Sequence, residues 1–178
     1  IIKGVAKGLH KSGALQLAQI NCINLDAHAD YRHTEGRHSG NAFRYAEADG
    51  YLGRYAVIGL HQNYLQQNVL NDLHQNHFAH YITYEDNFIQ AVAQATGFTE
   101  DSLTGIELDL DCIEHTLSSS GTPSGITALH ARQYLNFTGT DAKVAYVHLC
   151  EGACQLHNGV KNEATGKLLS YLVSDFVK

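Results

Sequence analysis

Five short apolar runs constrain this chain more than any other feature: INCINL (20–25), YAVIGL (55–60), YITY (81–84), GIELDLD (105–111) and KVAYVHLC (143–150). Their length and their β-branched and aromatic content read as strands. Between and after them, NYLQQNVLNDLHQ (63–75), DNFIQAVAQAT (86–96), TALHARQYLNF (127–137) and TGKLLSYLVSDFV (165–177) carry apolar residues at helical spacing. Such alternation predicts crossover connections and a mainly parallel sheet covered on both faces, a three-layer α/β/α architecture. Thr127 and Asp86 suit helix N-caps, and Gly97 and Gly139 suit helix stops. The polar stretch 32–50 reads as one long loop facing the substrate. With 178 residues and 44% hydrophobic content, the chain is expected to form one α/β domain over 1–178.

Charge narrows the function classes. A formal net charge of −6 and the lack of a Lys/Arg-rich run argue against nucleic-acid or anionic-membrane partners, which need clustered positive charge. No apolar run approaches the roughly 18 residues that span a bilayer. Cys22, Cys112, Cys150 and Cys154 form no C-x-x-C pair and read as free thiols of a cytoplasmic protein. Small-molecule chemistry is the expectation that remains.

The stretch NLDAHAD (24–30) puts polar side chains directly after a buried-looking strand. In an extended chain Asp26, His28 and Asp30 share one face, and so do Asp109 and Asp111 at the end of GIELDLD. Ligands of open α/β sheets bind at the carboxyl ends of strands, so both groups are site candidates. If the two strands are neighbours, the carboxylates would repel one another unless cations or protons intervene. Carboxylates with one imidazole and no thiolate favour Mn²⁺ or Mg²⁺ over a structural zinc. Two ions roughly 3.5–4 Å apart would let aspartates bridge them and activate a water between them. Taken singly, each motif also fits a solvated loop or a turn. A two-metal phosphoryl hydrolase would use paired aspartates too, but no P-loop or basic phosphate cradle is present.

These motifs resemble the ureohydrolases, the family of arginase, agmatinase and formimidoylglutamase. NLDAHADYR matches the family's D-A-H-x-D, ELDLDCIEHTLSSSGTPSG its D-x-D with a downstream Pro, VHLCEGAC its late strand ending in glutamate, and TGKLLSYLVSDFV its closing helix. The resemblance implies an arginase-like fold and a hydrolase of linear amidine or guanidine C–N bonds with two Mn²⁺ ions. It implies that Asp26 and Asp109 bridge the ions, that Asp30 binds one, and that His28 and Asp111 bind the other. It further implies that Glu151 pairs with the substrate's amidinium or guanidinium group. Asp30 is the best internal proton carrier, with His38 second. A homo-oligomer is expected from the resemblance alone.

Two departures bear on the site. The family places a further ligand histidine just before the helix that IIKGVAKGLHKSG resembles, so the domain here is expected to lack the N-terminal part that carries it. His10 is the histidine upstream of D-A-H-x-D and reads as a surface residue. The ion at Asp26, Asp30 and Asp109 would then lose its nitrogen ligand, and the chain would bind its two ions unequally. In the loop, RHSGNAF has His38 followed by Ser39 and Gly40, where arginases and agmatinases have a His-Gly pair. Formimidoylglutamases resemble this Ser-Gly form more closely. That tilts the substrate toward N-formimidoyl-L-glutamate, with Arg32, Arg37 or Arg44 available for a carboxylate. The alternatives are urea release from arginine or agmatine, and a catalytically silent subunit. His61, His74, His77, His80, His130 and His157 lack acidic partners at ligand spacing and read as non-ligands.

Overall fold

The computed structural model describes residues 1–84, 87–141 and 143–178. Five strands, β1 (Ile20–Leu25), β2 (Leu52–Leu60), β3 (Ala79–Thr83), β4 (Thr104–Asp109) and β5 (Val144–Cys150), form one wholly parallel sheet in the order β3-β2-β1-β4-β5. All five runs that read as strands from their composition are strands. The helices are α1 (Ile2–Lys11), α2 (Ala42–Ala48), α3 (Gln67–Gln75), α4 (Phe88–Thr99), α5 (Ala128–Asp141) and α6 (Ala164–Phe176). Among the described residues no helix is long and apolar enough to cross a membrane.

Strand alternation sorts the core into two layers. Ile23, Leu25, Ile106 and Leu108 face one side and pack with Ala91, Val92 and Ala95 of α4, Tyr134 and Leu135 of α5, and Leu172 of α6. Ile20, Cys22, Tyr55 and Val57 face the other side, with Ile2 and Ala6 of α1, Phe43 of α2, and Val69 and Leu73 of α3. Both faces of the sheet are therefore covered, as a parallel sheet requires. The chain winds outward from β1 through β2 and β3, then returns across the sheet to β4 on the opposite side of β1. That reversal opens a crevice at the carboxyl ends of β1 and β4, where open α/β folds bind ligands.

Three expectations need correction. The stretch 32–50 is not all loop: a single 3-10 turn, Ser39–Asn41, leads into α2, because AFRYAEA is rich in helix formers and buries Phe43 against Tyr55. Gly97 and Gly139 stop no helix, since α4 runs to Thr99 and α5 to Asp141. Gly139 instead marks a close helix contact, because a Cβ there would lie 2.7 Å from the Phe176 carbonyl oxygen. Thr127 does cap α5, its Oγ1 accepting from the His130 N–H at 3.2 Å. Asp86 lies outside the described residues, and α4 is capped by Asn87, whose side chain accepts from the Gln90 N–H.

Candidate metal centre

β1 and β4 run side by side with Leu25 opposite Leu108, so the chain leaves both strands into the same crevice through Asp26 and Asp109. Beyond these points neither segment stays extended. β1 ends at Leu25 and 26–30 bends, while Leu110–Cys112 forms a 3-10 turn. Strand alternation therefore does not gather the polar groups; local turns do. The His28 N–H donates to Asp26 Oδ1 at 2.7 Å, and the Asp111 N–H donates to Asp109 Oδ1 at 2.9 Å, so each leading aspartate caps the turn that presents its partner. At the bulge in β2, Gly59 has φ +90° and passes so close that a Cβ there would lie 3.4 Å from the Asp26 carbonyl oxygen.

Asp26, His28 and Asp111 converge: one ligand atom from each lies within 4.8 Å of the others. His28 Nδ1 is 3.2 Å from Asp111 Oδ2 and 3.5 Å from Asp26 Oδ1. Asp26 and Asp111 are 2% and 3% exposed, and Asp111 Oδ1 has no hydrogen-bond partner among the described residues. An unpartnered oxygen on a buried carboxylate is costly unless something positive meets it. An oxygen-rich set with one imidazole fits a hard to borderline divalent cation. Asp30 and Asp109 stand outside this trio, but with Asp26 they line one cavity of about 570 Å³ whose wall also holds His38 and Glu151.

Electrostatics point the same way. Burial raises Asp26, Asp30 and Asp109 above the usual carboxylate range, and the neighbouring acids add to it; Asp30 is pushed up to about 7 and Asp109 to about 8. Hydrogen bonding to Asp111 and then to Asp26 lifts His28 to about 10. The cluster holds protons that a cation would displace.

The supporting residues are aromatic and strained. His28 stacks on Tyr64 with ring centroids 4.9 Å apart, Tyr64 on His61 at 5.2 Å, and His61 on Tyr84 at 4.1 Å. His61, a non-ligand on sequence grounds, thus belongs to the ladder that steadies His28. Two site candidates, Asp30 at φ 47° and Glu151 at φ 57°, occupy the left-handed region that non-glycine residues avoid. Such strain collects at functional sites. Glu151 follows β5 and accepts a 2.8 Å hydrogen bond from Ser119 Oγ. Of the three arginines offered for a carboxylate, Arg37 lines the cavity and pairs with Asp49, whereas Arg44 is tied to Asp72 at 2.6 Å. His10 is exposed on α1. The four cysteines are free.

Sequence reasoning missed two cavity residues, Glu107 and His148. Extending the alternation of GIELDLD back by two positions would have reached Glu107. His148 is hidden in an otherwise apolar strand.

A profile of the Arginase family matches residues 1–177. No curated protein sequence is a significant match. Among solved structures, formimidoylglutamase from Bacillus subtilis superposes with a TM-score of 0.83 at 16% identity, covering 100% of this chain and 57% of that one. Formiminoglutamase from Trypanosoma cruzi, solved with Mn²⁺, gives 0.79 at 18% identity over 99% of this chain and 60% of that one. Arginase from Bacillus subtilis gives 0.73 at 12% identity over 99% and 76%. The chain thus spans 57–60% of the length of the two glutamate-amidine hydrolases it resembles.

Proposed function

Because the chain belongs to the arginase family, we propose that residues 1–178 form a ureohydrolase domain that hydrolyses the C–N bond of a linear amidine, N-formimidoyl-L-glutamate in the first instance, to yield glutamate and formamide. The observation that carries this reading is the convergence of Asp26, His28 and Asp111, with its unpartnered carboxylate oxygen, on a cavity shared with Asp30, Asp109 and Glu151. The Ser39-Gly40 form of the loop beside the cavity supports the choice of substrate. The four free thiols suit a reducing, cytoplasmic setting.

Asp26, His28, Asp109 and Asp111 would hold one Mn²⁺, and Asp26, Asp30 and Asp109 the other. Bound there, the ions neutralise the carboxylates and make water nucleophilic at neutral pH. The protein groups do the rest. Glu151 accepts N–H groups of the planar amidinium and so sets its carbon beside the aspartates. Asp30, on the cavity wall, takes the proton of the attacking water and returns it to the amine as the C–N bond breaks. His38, exposed on the cavity wall, is a second carrier between the site and solvent.

The test is manganese-dependent release of formamide from N-formimidoyl-L-glutamate. Urea from arginine or agmatine would replace this substrate with that of a sister activity, and no turnover of any of the three would overturn the enzymatic reading. Glu151→Gln should lower kcat/KM about 10- to 100-fold, the worth of one charge-assisted hydrogen bond, while manganese binding measured by titration stays unchanged.

A further inference from the structure

One row below the aspartates, a second set of polar groups lines the same cavity, and the chemistry proposed for the aspartates gives it no work. Asn24, Glu107 and His148 stand opposite one another on β1, β4 and β5. They lie two residues before Asp26, Asp109 and Cys150 along their strands, on the same face of the sheet. Glu107 is 6% exposed, so its carboxylate needs partners. Tyr146 donates its hydroxyl to Oε1 at 2.5 Å, and His148 Nδ1 bonds Oε2. The arrangement excludes a side chain at position 105: a Cβ on Gly105 would sit 2.4 Å from the Tyr146 ring.

A buried carboxylate that receives the Tyr146 hydroxyl on one oxygen takes the ring N–H of His148 on the other, which fixes the proton on Nδ1. Nε2 is then the free ring nitrogen. No hydrogen bond engages it among the described residues, and His148 lines the cavity with its side chain 37% exposed. In the neutral ring Nε2 is an acceptor. An amidinium or guanidinium carries at least three N–H donors, while Glu151 offers two oxygens, one of which already accepts from Ser119. A second acceptor on the cavity wall is what such a ligand lacks.

Resting on the function proposed above, we infer that His148 Nε2 binds an N–H of the substrate's amidine, and that Glu107 and Tyr146 are positioning residues that hold the ring in the accepting tautomer. His148→Ala removes the acceptor. His148→Gln puts an amide within reach of the Nε2 position. Glu107→Gln replaces the carboxylate with an amide that can donate to Nδ1, so that Nε2 carries the hydrogen and meets the substrate as a donor.

The experiment measures KM, kcat and Mn²⁺ titration for the wild-type chain and the three variants, on whichever of the amidine and guanidine substrates the wild type turns over. His148→Ala and Glu107→Gln should raise KM about tenfold, roughly one hydrogen bond. Their kcat should stay within about threefold and manganese binding should not change, and His148→Gln should recover part of the loss. An unchanged KM in an active His148→Ala or Glu107→Gln overturns the inference and leaves the proposed function standing. Loss of manganese affinity in those two variants also overturns it, because His148 would then act on the ions. Absence of wild-type turnover overturns the function and the inference together.

Discussion

Asp111→Ala should abolish the tight manganese binding proposed for the 178-residue chain and, with it, the proposed turnover. Asp111 closes the one group of three ligand atoms that converges among the described residues, and its Oδ2 also receives His28 at 3.2 Å. Truncation leaves Asp26, His28 and Asp109 as the remaining proposed ligands, and frees the imidazole of the contact with Asp111 that orients it. Loss of one ligand and one orienting bond should lower affinity at least 100-fold. Isothermal titration of the wild type should show one ion bound tightly and a second more weakly, because Asp30 and Asp109 stand apart from the convergent trio. The variant should show only the weak event. Two ions of equal, high affinity in the wild type would mean that the second position is as well built as the first. Retained tight binding in the variant would remove Asp111 from the ligand set.

Thermal stability of the metal-free protein should fall as pH rises, against the usual trend on the acid side of neutrality. Asp30 and Asp109 have folded pKa values of about 7 and about 8, raised from 3.8 by burial and neighbouring acids. A raised carboxylate contributes stability that is complete below pH 3.8 and lost as pH rises through the folded value. His28, held at about 10 by its bonds to Asp111 and Asp26, contributes stability complete below its unfolded value of 6.5 and lost as pH rises through 10. The two losses add. A tenfold difference in proton affinity between folded and unfolded chain is worth about 1.4 kcal/mol, so the decline between pH 5 and pH 8 should amount to a few kcal/mol. Manganese should reverse the slope, because binding displaces the same protons and strengthens as they become easier to remove. Thermal melts of chelator-treated protein at pH 5–9, with and without added Mn²⁺, make the comparison. A metal-free midpoint that climbs from pH 5 to pH 8 would show that the aspartates are ionised without help.

The strands and the two acidic motifs were legible because burial writes its own pattern. INCINL carries large apolar residues on both faces and is buried at every position, as a central parallel strand must be, and it is the middle strand of five. Asp26, His28, Asp109 and Asp111 stood out as candidates for a reason only half right. Alternation along an extended chain placed them together, whereas two tight turns, each capped by its own leading aspartate, do so. Turn geometry of this kind leaves little trace beyond the Asp itself, which serves as ligand and cap at once. Helix α2 was missed because Phe43 is its one buried residue, and a single buried side chain in a polar stretch carries no period. Glu107 and His148 were missed for a different reason: their meaning lies in the pairing of β4 with β5, and strand order is a property of the whole topology.

The left-handed backbone at Asp30 and Glu151 sets stability and catalysis in opposition at two known addresses. Glycine at either position would relieve a penalty of roughly 1–2 kcal/mol and would look, to any screen that rewards heat resistance, like an improvement. The same exchange would remove the proposed proton carrier in one case and the proposed amidinium acceptor in the other. A lineage drifting under selection for persistence alone would be drawn to these two sites early, and would arrive at a sturdier fold with nothing left to hydrolyse.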